Sequence, residues 1–162
     1  MNIGSTLVLG VGNILLQDEG IGVRVVERLN QTCSFSDEVQ VLDGGTMGLD
    51  LIGFLDGVER LLVIDAVEAG RAPGELVRMV DEEIPSFLAH KISPHQVGLS
   101  DILSAARLLD ILPRSVVLLG VQPASLQTGL ELSAALSARV DDYVQAVINE
   151  LHAWGVECTN SP

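Results

Sequence analysis

The segment LVLGVGNILLQDEGIGVRVVERL, Leu7–Leu29, decides the fold. It opens as an unbroken apolar run, passes Gly10 and Gly12, and ends in residues at helical spacing, Ile21, Val25, Val26 and Leu29. A strand buried on both faces reads as a continuous β-branched and Leu-rich run, and glycines after it mark a tight loop. Thr6–Val11 is therefore the expected first strand. A helix is expected from about Asp18 to Gln31, with Asp18 placed to cap it. Strand, glycines and helix in this order ordinarily cradle a phosphate on bare backbone N–H groups. Here Asp18 and Glu19 stand at the helix start, where their charges would repel one.

The dinucleotide fingerprint GxGxxG fails on the same stretch. Its third glycine falls on Leu15, and the loop continues through Leu16, Gln17 and Asp18 before a helix can begin. The acidic residue needed about 20 positions further on to hold a ribose has only loose candidates in Asp37 and Glu38. Nucleic acid is disfavoured as well: nine Lys and Arg against 22 Asp and Glu give a net charge of −13, with no basic cluster to meet phosphates.

Outward from this stretch the pattern repeats. Val39–Leu42, Arg60–Gly70 (breaking at Asp65), Leu76–Val80 and Ser115–Pro123 read as strands, the Leu76 run at a sheet edge. Helical spacing covers Met47–Leu55, Gly98–Leu109 and about Ser133–Trp154, with a short helix or turn in DEEIPSFLAHKISPHQ. With 48% hydrophobic and only 3% aromatic residues, the core must be built from Val, Leu, Ile and Ala. The alternation implies an α/β fold: a three-layer α/β/α sandwich, phosphorylase/hydrolase-like, around a mostly parallel twisted central sheet. Residues 1–155 are expected to form one domain and 156–162 a flexible tail. Cys33 and Cys158 form no CxxC pair, and a reduced, cytoplasmic chain is expected. No apolar run reaches membrane length, and the N-terminal segment has no basic region ahead of its apolar stretch.

Right-handed crossovers bring post-strand loops to one rim of such a sheet, where ligands bind. The loops GNILLQDE, DGGT and DAVEAG should meet there. Taken singly, Glu19 is a helix-start carboxylate, Asp65 a strand-end residue and His95 an ordinary loop histidine. Together they make an N/O ligand set suited to Ni²⁺, Zn²⁺ or a similar divalent ion, with positions left for water or substrate. His90 lies in an apolar stretch and His152 on the last helix, both weaker candidates. Asp43 is a candidate general base or orienting group, and the Gly44 and Gly45 amides are candidates to cradle a peptide. The alternative chemistry is an aspartic pair, Asp43 and Asp65 sharing a proton.

The motifs LVLGVGNILLQDEGIGV (Leu7–Val23), LDGGTMG (Leu42–Gly48), VIDAV (Val63–Val67) and KISPHQVGLSD (Lys91–Asp101) resemble those of the [NiFe]-hydrogenase maturation endopeptidases over nearly the whole chain. The resemblance implies an enzyme that cuts a C-terminal extension from a hydrogenase large-subunit precursor after nickel insertion. It implies metal-binding roles for Glu19, Asp65 and His95, catalytic participation of Asp65, and nickel carried by the substrate, with another divalent metal such as zinc able to substitute. The implied partner is the precursor, met by a cytoplasmic monomer. Two other classes stand beside it: a general metal-dependent peptidase or amidase, and a non-catalytic nickel-dependent chaperone.

Overall fold

The computed structural model describes residues 5–88 and 98–160, so His90, His95 and most of the Lys91–Asp101 motif lie outside the described residues. In chain order the elements are β1 (Thr6–Val11), α1 (Ile21–Thr32), β2 (Cys33–Ser34), β3 (Val39–Gly45), β4 (Arg60–Ala66), β5 (Leu76–Val80), α2 (Glu83–Leu88), α3 (Leu99–Leu108), β6 (Ser115–Val121), α4 (Ala134–Ser137), α5 (Val140–Ala153) and β7 (Thr159–Asn160). Turns of 3₁₀ helix at Gln17–Gly20 and Gly48–Phe54 follow β1 and β3.

Five strands form one sheet in the order β3-β1-β4-β6-β5. β3, β1, β4 and β6 are parallel, and β5 pairs antiparallel with β6 at the edge. The three central strands are the three most apolar runs in the chain, because both of their faces are covered. Alternation along each strand sorts its side chains between two cores. Val8, Leu62, Ile64 and Leu119 pack under α1 and α5 against Val25, Leu29 and Val147. Leu7, Leu61, Val63 and Leu118 pack on the other face against Leu51, Ile84, Ile102 and Leu103. The architecture is thus an α/β fold with a mixed, mostly parallel central sheet flanked by helices.

One glycine pair sets how α1 sits on the sheet. A Cβ at Gly22 would lie 2.1 Å from the Ile64 carbonyl oxygen, and one at Gly10 would lie 2.3 Å from the Gly22 carbonyl oxygen. Helix and strands approach too closely there for any side chain. This contact brings the start of α1, and the 3₁₀ turn before it, over the carboxyl ends of β1 and β4.

Four expectations change. Asp18 does not cap α1: the helix starts at Ile21 behind Gly20, and no side chain caps it. The expected last helix is broken into α4 and α5, with Arg139 between them in a non-helical conformation and its guanidinium donating to the Gly74 carbonyl oxygen. Cys33 and Cys158 are joined as a disulfide across 125 residues, with Cα atoms 5.3 Å apart, which corrects the expected reduced pair. The physical reason is packing: α1 and α5 lie together, so the residue after one helix meets the tail that follows the other. The same contact pairs β7 antiparallel with β2, so the expected flexible tail is anchored through Asn160.

Candidate active site

The sheet order makes the junction of β1 and β4 a topological switch point, since the chain leaves β1 for β3 on one side and enters β4 on the other. Open α/β sheets bind ligands in the crevice at such a point. A cavity of about 420 Å³ opens there. Its walls are the loop after β1, the segment Gly45–Leu51 after β3, Asp65 at the end of β4, and Gly98, Leu99 and Ile102 at the start of α3. The Asp101 carboxylate accepts from the Gly98 N–H at 3.1 Å and fixes the first turn of α3 beside the cavity.

Glu19 and Asp65 both line this cavity and are buried, at 8% and 6% exposure. The Asp65 Oδ1 accepts from the Ala66 N–H at 2.8 Å. Burial, and next the charge of Glu19, push the Asp65 carboxyl well above its ordinary range, and the Ala66 N–H opposes them only in part. Asp50 adds a third, exposed acid at the mouth. None of the described lining residues is Lys, Arg or His. Two buried carboxylates thus line one cavity whose described residues include no cationic side chain. Among the described residues no group of three or more His, Cys, Asp and Glu is placed to hold a metal ion. Gly98, three residues beyond His95 in the chain, lines the cavity.

Asp43 stands beside this cavity rather than in its wall. It is exposed on β3 and is not among the residues lining the cavity. Gly10 pairs with Asp43 on one side and Ile64 on the other, so Asp43 shares the Ile64 face of the sheet while Asp65 points to the opposite face. A Cβ at Gly45, which lines the cavity, would lie 3.5 Å from the Asp43 Oδ1, so the Asp43 carboxylate stands beside Gly45 without itself lining the cavity. A register shift at the end of β1 pairs Val11 with Gly45 and leaves Gly44 as the extra residue. Gly44 is a packing position, since a Cβ there would lie 2.8 Å from Leu9 and 3.2 Å from Leu51. Gly45, at φ +44°, lines the cavity.

Gly12 explains the glycine loop that resembles a nucleotide cradle. Its φ is +132°, and a Cβ would fall 1.9 Å from the Glu19 carbonyl oxygen. The Gly12 N–H donates to the Gly45 carbonyl oxygen at 2.9 Å, tying the β1 and β3 loops together. The glycine lets the Glu19 backbone fold directly onto the strand end. Gly12→Ala is expected to cost at least ~2 kcal/mol of stability in urea unfolding, through both strain and overlap. The control is Gly53→Ala, where nothing lies within 4 Å of the added methyl; it should stay within about 0.5 kcal/mol of the parent.

Two features had no sequence motif. One is the role of Asp18, fully buried, whose Oδ2 accepts from the N–H groups of Ala124 (2.8 Å) and Ser125 (3.1 Å) and whose Oδ1 accepts from Ser133 (2.8 Å). The other is the segment it holds, residues 124–133. That segment lies along the Glu19 loop, with Gln17 N–H donating to the Gly129 carbonyl and Gly129 N–H to the Leu15 carbonyl.

Fold and site together define an α/β protein with two buried carboxylates, Glu19 and Asp65, lining a cavity at the carboxyl ends of parallel strands. The hydrogenase maturation protease family model (HycI) matches residues 23–150, and the chain belongs to that family. It is 44% identical over 152 residues to the hydrogenase 2 maturation protease of Escherichia coli K12, covering 93% of each chain. It is also 44% identical over 155 residues to the hydrogenase expression/formation protein HupD of Rhodobacter capsulatus, covering 94% of this chain and 74% of that one. Among solved structures, the hydrogenase maturating endopeptidase HybD from E. coli superimposes with a TM-score of 0.90 at 43% identity, over 96% of both chains.

Proposed function

We propose that this chain is the endopeptidase that removes the C-terminal extension of a [NiFe]-hydrogenase large-subunit precursor after nickel insertion, and that it recognises the nickel its substrate carries. Membership of the maturation protease family supplies the reaction class, a C-terminal processing peptidase in hydrogenase maturation. One observation carries the recognition step: Glu19 and Asp65 lie buried together in a cavity whose described wall holds no cation. Their mutual repulsion is relieved when a divalent ion enters, so an ion-loaded precursor is preferred over an empty one. His95 completes the proposed ligand set.

Glu19, Asp65 and His95 would hold the substrate's cation beside the scissile bond, where it would supply Lewis-acid chemistry. Asp65 holds the ion, and Gly45 lines the same cavity, where an extended backbone would pass. The reading carries with it a cytoplasmic location and a monomer acting on one precursor. No helix among the described residues is long and apolar enough to cross a membrane.

The test is cleavage of nickel-loaded precursor by Glu19→Gln, Asp65→Asn and His95→Gln, each checked for folding. Losses of more than about 100-fold are expected in all three, since replacing even outer-shell partners of a metal costs 10–100-fold. Near-normal rates in the three variants would remove the cation from the reaction. A general metallopeptidase would instead keep its metal through purification and cleave short peptides, and a chaperone would leave the precursor at full length.

A further inference from the structure

Exposed apolar side chains gather beside this cavity and the loop after β1. Among the described residues eight large hydrophobics are exposed, and five of them stand on its rim or on the segment bonded to it: Leu15, Met47, Leu49, Leu126 and Leu130. Met47 and Leu49 line the cavity on the β3 side. Leu15 sits on the opposite side, between the lining residues Asn13 and Leu16, at 56% exposure. Leu126 and Leu130 are 48% and 61% exposed. They flank the backbone bonds from Gln17 and Gly129 that fasten residues 124–133 to the Glu19 loop, and Asp18 N–H donates to the Ser125 carbonyl beside Leu126. Arg24 further fixes Leu130, donating to its carbonyl oxygen at 3.0 Å.

These leucines are exposed on a backbone held by Asp18, Gln17 and Arg24, and apolar side chains gathered beside a site mark an interaction face. Resting on the peptidase reading above, we infer that Leu126 and Leu130, with Leu15, form a docking ridge for the folded large-subunit precursor, separate from the residues that meet the cation and the scissile bond. The occupant follows from the arrangement. An acid-lined cavity with exposed apolar side chains beside it complements a protein surface on which a divalent cation emerges among apolar side chains. The segment carrying Leu126 and Leu130 is bonded through Gly129 to the loop whose Asn13 and Leu16 line that cavity. A free peptide would fill the cavity and leave the ridge uncovered, so the ridge makes the enzyme selective for the folded precursor.

The experiment measures initial cleavage rates against concentration of nickel-loaded precursor, for the parent and for Leu126→Ser/Leu130→Ser. Interface residues that anchor a partner raise KM when truncated, here by an expected tenfold or so, with kcat within about twofold of the parent. The single variants Leu126→Ala and Leu130→Ala give the same test, with smaller shifts, if the double variant does not fold. An unchanged KM, or a fall in kcat at constant KM, overturns the docking ridge. So does a parent that sediments as a dimer which the double variant dissociates without any change in KM, since the ridge would then cover a second copy of the chain. Failure of the parent itself to cleave the nickel-loaded precursor defeats the peptidase reading instead, so the two failures are distinguishable.

Discussion

Asp65→Asn should make the metal-free protein more stable while abolishing cleavage. The Asp65 carboxyl is raised by burial, then by the charge of Glu19, with only the Ala66 N–H favouring the ionised form. Its folded value thus lies above the unfolded reference of about 3.9. Between those two values the folded state binds more protons than the unfolded state, and stability falls as pH rises through that window. The stability linked to this group is therefore complete below about pH 3.9 and is lost as pH climbs through the raised value. Asparagine removes the titration, and its Oδ1 can still accept from the Ala66 N–H. The gap in melting temperature between Asp65→Asn and the parent should accordingly open with rising pH, the variant staying the more stable. Added divalent cation should raise the parent more than the variant, which keeps Glu19 but loses the second carboxylate. Thermal melts of both proteins between pH 4.5 and 7.5, with and without Ni²⁺, check the sign. A parent as stable as the variant at pH 7.5 would mean the carboxylate pair is not strained in the way the cavity requires.

The parts of this molecule that sequence reveals are those written in local patterns. β1, β4 and β6 are legible because burial on both faces demands unbroken apolar runs, and Glu19 is legible because two acids stand where a phosphate cradle would be bare. The elements that were misread depend on partners distant in the chain. β3 runs past Leu42 to Gly45, but its end is written DGG, since Leu9 and Leu51 fill the space a side chain at Gly44 would take. Asp43 in that motif faces the Ile64 side by the strand's alternation, with its carboxylate beside Gly45. The Cys33–Cys158 link follows from α1 lying beside α5, a tertiary fact that cysteine spacing does not encode. Residues 124–133 have no motif at all. Their importance is recorded only in which carboxylate their N–H groups find.

Asp18 supplies the sharpest test of that last point. As the helix cap that its sequence position suggests, its replacement by alanine would cost about 1 kcal/mol. In the structure its two oxygens instead satisfy three backbone N–H groups, those of Ala124, Ser125 and Ser133, more than 100 residues away. It does so with no exposure to solvent. Alanine would leave three part-buried N–H donors without their acceptor, each costing about 1 kcal/mol at the low end of the penalty for buried donors. Asp18→Ala is therefore expected to lose about 3 kcal/mol in urea unfolding, a large part of the 5–15 kcal/mol typical of a folded domain. Asp18→Asn should recover only part of this, because one of its two acceptor oxygens becomes an amide that faces donors. A loss near 1 kcal/mol in Asp18→Ala would return the residue to the capping role. The functional consequence separates the same alternatives. Because Asp18 grips both ends of the segment carrying Leu126 and Leu130, whatever folded Asp18→Asn protein remains should show a raised KM for the nickel-loaded precursor. A cap confined to the start of α1 would give no reason for that change.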